Sequence, residues 1–194
     1  MSLTAAVPRR AVLADVLPRS VARDIVLVVA AALLTAACAQ IEIAVPGSPV
    51  PVTGQTFAVL LTGAALGANR GGLGQALYVL LGLVGLPFYS GGDSGVHVIT
   101  GATGGYLVGF IVAGYFVGRL AELGQDRQVV RAFPAFVVGQ VVIFAIGVPW
   151  LAVSANMSMS EAIDKGFTPF ILGGLIKSAL AGALLPGAWK LVRR

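Results

Sequence analysis

Six apolar stretches, at about 25–44, 55–68, 72–88, 102–118, 133–152 and 169–189, alternate with short polar or glycine-rich connections along this chain. A helix needs roughly 20 residues to cross about 30 Å of hydrocarbon, so the first, fifth and sixth stretches predict ordinary membrane spans. The second and third are short. From Pro46 to Phe110 the apolar pattern is broken repeatedly by Gly, Pro and Thr. Helix breakers at membrane depth are tolerated where the freed backbone lines a protein-walled cavity, and paired short, Gly-interrupted segments point to a binding site. The pattern predicts an all-α integral membrane protein with six transmembrane helices. It forms a single membrane domain over 1–194: a cytoplasmic arm at 1–24, a substrate-binding bundle at 25–189 and a basic tail at 190–194.

Composition agrees with the pattern. Hydrophobic residues make up 57% and charged residues 11% of the 194, with a mean hydropathy of +0.92, against roughly 25% charged in an average soluble domain. Cys38 is the single cysteine, which leaves no disulfide within the chain and no multi-cysteine metal site. The first apolar run begins after Arg23 and ends at Gln40-Ile41-Glu42 with no small-residue cleavage site before a polar domain. It therefore reads as a spanning helix and not as a signal peptide.

The basic residues set the orientation. Arg9, Arg10, Arg19 and Arg23 precede the first stretch; Arg70 follows the second; Arg119, Arg127 and Arg131 follow the fourth; Lys190, Arg193 and Arg194 follow the sixth. Alternate connections thus carry eleven of the thirteen basic residues, while Glu42, Asp93, Glu161 and Asp164 fall in the others with Lys165. By the positive-inside rule both termini are cytoplasmic. The net charge of +5 then reports topology. No aromatic residues cluster among the arginines and no DNA-binding motif occurs, so no nucleic-acid partner is expected.

Candidate chemistry lies in the outward connections and the helices they join. Gly91, Gly92, Asp93 and Gly95 follow Leu86-Pro87-Phe88-Tyr89 and form either a lid or a plain turn. Thr103, Gly104 and Gly105 open the fourth stretch, where a helix N-terminus exposes N–H groups and partial positive charge. They either hold an anionic or carbonyl oxygen or let helices pack closely. Lys177 is the only charged side chain well inside a span, and an intramembrane lysine costs at least ~2.5 kcal/mol and faces a cavity or partner unless it snorkels. No acidic residue sits well inside a span to neutralise it, which makes an anionic ligand its simplest partner. Small residues including Ala32 and Ala36 mark the first span for close helix contact, with a partner or within the bundle. No P-loop, H-E-x-x-H or G-x-S-x-G motif is present. A membrane enzyme using Asp93 or the sole histidine, His97, as base is the remaining enzymatic alternative.

Three motifs carry a family resemblance: PVPVTGQTFAVLL at 49–61, GLVGLP at 82–87 followed by the Gly-rich loop, and GATGGYLVGF at 101–110. The chain resembles, over roughly residues 41–188, the BioY-type biotin-binding S components of energy-coupling-factor (ECF) transporters. The resemblance implies a non-enzymatic subunit of a prokaryotic plasma membrane that captures biotin from outside, with no cofactor or metal of its own. Its implied partners are membrane lipids, a transmembrane coupling subunit, against which Ala32 and Ala36 would dock, and two ATPase subunits; a stand-alone biotin permease is the alternative. Lys177 would pair with the valerate carboxylate. Thr103, Gly104 and Gly105 would meet carboxylate or ureido oxygens, and Phe88, Tyr89, Tyr106 and Phe170 either pack on the fused rings or serve as ordinary core. The family commonly carries an acid three residues before the lysine, where this chain has Gly174; Gln55, Asp93 or Asn156 would have to supply the missing polar contact.

Overall fold

The computed structural model describes residues 11–192; the expectations resting on residues 1–10, Arg193 and Arg194 lie outside it. Ser20 caps the first helix, α1 (Val21–Ala39), by accepting a hydrogen bond from the Arg23 N–H at 3.1 Å, and Asp24 in the first turn complements the positive end of the helix dipole. That cap starts the helix four residues earlier than hydropathy alone indicates. A two-stranded antiparallel ribbon, β1 (Glu42–Ile43) and β2 (Val52–Thr53), follows. Next come α2 (Gln55–Leu66) and α3 (Ala68–Leu83), joined only by Gly67 at φ 84°, a left-handed conformation that glycine adopts without steric cost. The remaining helices are α4 (Val96–Thr100), α5 (Gly104–Glu122), α6 (Val129–Ser154), α7 (Met159–Gly166) and α8 (Phe170–Val192).

Four of these, α1, α5, α6 and α8, are long and apolar enough to cross a membrane. At 12 and 16 residues, α2 and α3 rise only about 18 and 24 Å, short of the hydrocarbon thickness. The first packs inside the protein, while α3 buries one face, with Gly71, Gly74, Gln75 and Tyr78, and leaves Leu73 and Leu80 exposed on the other. Much of α2 is buried (Ala58, Val59, Leu60, Ala64), and a polar clamp ties it to its neighbours: the Gln75 amide N–H₂ of α3 donates to Thr35 of α1 and Thr62 of α2, each at 3.1 Å. All three clamp residues are buried and partnered, the condition under which a polar network in a low-dielectric interior stabilises.

One end of the bundle is basic. Arg70 bridges Asp15 at 2.8 Å and Asp24 at 3.1 Å, Arg119 pairs with Glu122, and Arg127 donates to the Ala11 carbonyl. Burial by itself would raise the Asp15 carboxyl, but the Arg70 guanidinium and the Val12 N–H outweigh it and hold the group below its ordinary value. The arm at 1–24 is thus packed against the bundle at Ala11, Val12 and Ala14. Val12, 1% exposed, sits in an apolar cluster with Leu60, Val117, Phe136 and Leu185.

The small-residue face of α1 turns out to be internal. Ala32 and Ala36 are 0% and 6% exposed and belong to the core cluster with Tyr78, Tyr89 and Val59. This corrects the expectation that they form a partner-docking surface: methyl-sized side chains let α1 approach its own bundle. The outward face of α1 instead carries Ile25, Val26, Val29, Leu33 and Leu34.

Candidate functional site

The bundle end opposite the arginines encloses a cavity of about 320 Å³, within the range of small-molecule pockets. The ribbon forms one wall. Val52-Thr53 leads directly into α2, so the Thr53 carbonyl and the Thr56 hydroxyl face the start of α8 across the cavity. Lys177, two turns into α8, donates to both, at 2.5 Å and 3.0 Å. An ammonium has three N–H donors, and two are used here. Among the described residues no carboxylate pairs with it. The ammonium stands at the cavity wall with one donor left.

The opposite wall comes from α5 and α6. Tyr106 donates to the Gly166 carbonyl at 2.9 Å and stands edge-on to Phe144, ring centroids 6.1 Å apart; Phe144 in turn packs against Phe170 at 5.8 Å. Tyr106, Phe144, Phe170, Phe110 and Ile143 thus give the cavity an apolar, largely aromatic side. At the mouth, Gly91 and Gly92 take φ values of 69° and 74° and turn the chain tightly. The turn is fastened to the ribbon and α1: Ser90 hydrogen-bonds Glu42, and the Gln40 amide donates to the Tyr89 carbonyl at 3.2 Å. Tyr89 is buried beneath it and donates to the Val79 carbonyl. Burial pushes its phenol up to about 12, which keeps that proton in place.

The cavity therefore brings together Lys177, Thr103, Tyr106, Gln55, Tyr89, Asp93 and Phe170 of the expected residues. Their availability differs. The Gln55 amide already donates to the Tyr78 hydroxyl at 2.5 Å, and its carbonyl accepts from Thr53, so Gln55 braces the wall. Asp93 is exposed at the rim beside His97, 3.1 Å away. Phe88 packs against the core from outside the cavity lining, and Asn156 likewise lies off it.

Gly104 and Gly105 are not in the lining either. A Cβ at Gly104 would fall 1.7 Å from the Ile99 carbonyl oxygen, and one at Gly105 2.2 Å from the Trp150 Cβ, so both are glycines for close packing, and Thr103 alone of the trio reaches the cavity. Several lining residues had no place in the expectation, among them Thr56, Phe110, Phe144 and Gln140, the sole amide of the 133–152 stretch. A polar side chain in the middle of an apolar span was the available signal for Gln140.

Comparison with known proteins decides the family. The BioY family model matches residues 9–194. The chain belongs to the BioY family. The biotin transporter BioY2 of Lactococcus lactis subsp. cremoris is 38% identical over 141 residues, 71% of this chain and 75% of that one. The biotin transporter BioY of Thermotoga maritima is 39% identical over 142 residues, 73% and 82% of the two chains. A crystal structure of the S-component for biotin from an ECF-type ABC transporter superposes with a TM-score of 0.79 at 21% identity, over 87% of this chain and 92% of that one. Membership in BioY and four apolar helices make this a multi-pass membrane protein.

Gly174 lies one turn before Lys177 on α8 and lines the same cavity. The missing side chain leaves α8 open toward α6, and the groups that face the gap are the Gln140 amide atoms, 3.6–3.9 Å from where a Gly174 Cβ would stand.

Proposed function

We propose that this BioY protein captures biotin from the outside and serves as the substrate-specific subunit of an ATP-driven ECF transporter. The observation that carries the reading is the uncompensated Lys177 ammonium at the wall of a cavity whose other face is aromatic. A carboxylate on an apolar, ring-bearing ligand satisfies both surfaces at once. The names of its relatives supply the ligand: biotin ends in a valerate carboxylate and carries a compact fused ring.

In this reading the six helices α1, α2, α3, α5, α6 and α8 all traverse the membrane, with the arginine-rich end and both termini cytoplasmic and the cavity opening outward beside Asp93. The short helix α2 is shielded from lipid by its neighbours. Thr53 and Thr56 hold Lys177 extended before the ligand arrives, which lowers the ordering cost of binding. The Gly91-Gly92 turn closes over the mouth. The chain has no P-loop, so a transmembrane coupling subunit and two ATPase subunits supply the work, acting through different affinities for the loaded and empty states.

Uptake of labelled biotin in cells lacking other biotin transporters tests the partnership. Accumulation is expected only when the chain is co-expressed with an ECF coupling subunit and ATPases, and is lost when the ATPase P-loop lysine is replaced. Equal accumulation by the chain alone would make it a stand-alone permease.

A further inference from the structure

Gln140 is 6% exposed, and neither its amide nitrogen nor its amide oxygen has a hydrogen-bond partner among the described residues. Buried amides are almost always partnered. Gly174 on α8, which faces the amide, has no side chain to offer it a partner. The gap at Gly174 is fitted to the amide. A Cβ there would lie 3.6, 3.7 and 3.9 Å from the Gln140 Cδ, Nε2 and Oε1, in ordinary contact across its whole face, so any polar branch added at 174 would cover it. Gly174 also lies one helical turn before Lys177, on the same side of α8. The amide and the ammonium thus both line the same cavity.

We propose that Gln140 is the specificity-determining residue for the ring end of the ligand, and that the group it recognises is a neutral cyclic urea. A primary amide presents a donor and an acceptor side by side in one plane. The complementary edge is an N–H next to a C=O held cis, as a small-ring urea holds them, and two parallel hydrogen bonds then satisfy both amide atoms. A guanidinium in the urea's place would put a second donor opposite the amide N–H₂ and is disfavoured; a carboxylate at 140 would reverse that preference. The inference rests on the biotin reading above and specifies how this chain meets the ureido ring without an acid at 174.

Calorimetric titration of the purified protein with biotin and with 2-iminobiotin, whose guanidine is protonated at neutral pH, provides the test in the wild type, Gln140→Met and Gln140→Glu. Gln140→Met is expected to weaken biotin by about 30-fold, the equivalent of two net hydrogen bonds, while raising the melting temperature of the ligand-free protein, since an unpartnered buried amide has been removed. Gln140→Glu is expected to bind 2-iminobiotin more tightly than biotin, inverting the wild-type order. Tight wild-type binding of biotin with unchanged affinity in Gln140→Met would overturn the role of Gln140 alone and mean that water occupies the gap. A wild type that binds no biotin would overturn the parent reading and this one with it.

Discussion

Replacing Lys177 with alanine is expected to lower biotin affinity by roughly 100- to 4,000-fold, the range that follows from removing one member of a buried charge pair at about 3–5 kcal/mol. The ligand carboxylate must leave water to enter the cavity, and without the ammonium it would meet only the Thr53 carbonyl, which repels it, and the Thr56 hydroxyl. The loss belongs to the carboxylate. Biotin amide, which lacks that charge, should bind the wild type weakly and be nearly indifferent to the substitution. Lys177→Met separates charge from volume, because it keeps an unbranched apolar stem of similar reach and should behave like the alanine variant towards biotin. A Lys177→Ala protein that still prefers biotin to its amide by the wild-type ratio would remove the lysine from the site.

The second large effect is on the fold. Gly104→Ala is expected to destabilise the protein by about 3 kcal/mol or more, the upper end of overpacking costs, because the added carbon would sit 1.7 Å from the Ile99 carbonyl oxygen. That atom is backbone in the last turn of α4, and no rotamer change relieves the clash. The start of α5 must shift, and Thr103 and Tyr106 shift with it, so binding and thermal stability should fall together. The measurement is a melting curve in detergent beside a biotin titration. Were Gly104 a ligand contact, the variant would melt like the wild type and lose affinity alone.

These two residues also mark where the sequence was informative. Lys177 stood out because a charge in the middle of an apolar run is costly, and no part of that argument needs coordinates. Gly104 was visible as a glycine at a helix start, but whether a ligand or a neighbouring backbone approaches it depends on where Ile99 and Trp150 fall, which periodicity does not encode. The same applies to Ala32 and Ala36. A stripe of small residues says that something comes close, and the burial of α1 against α2 and α3 says that it is the protein itself.

The apolar stretches located six of the helices within a few residues. Their ends moved where polar residues are helical for local reasons, as at Ser20-Val21 through the cap and at Arg119-Leu120-Ala121-Glu122 through the i,i+3 ion pair. The ribbon at Glu42–Ile43 and Val52–Thr53 and the short helices α4 and α7 carry too few residues for a periodic signal. Gln140 was legible in principle, a single amide among apolar residues, yet its meaning arises only from the vacancy opposite at Gly174, a pairing across two helices.

The most direct test is calorimetric titration of the detergent-purified protein with biotin, alongside desthiobiotin, thiamine and riboflavin. Tight binding of one biotin per chain is expected, with desthiobiotin weaker because it keeps the urea and the carboxylate but loses the second ring, and with no heat from the other two vitamins. Binding of thiamine or riboflavin without biotin would contradict the account, since neither offers a carboxylate to Lys177.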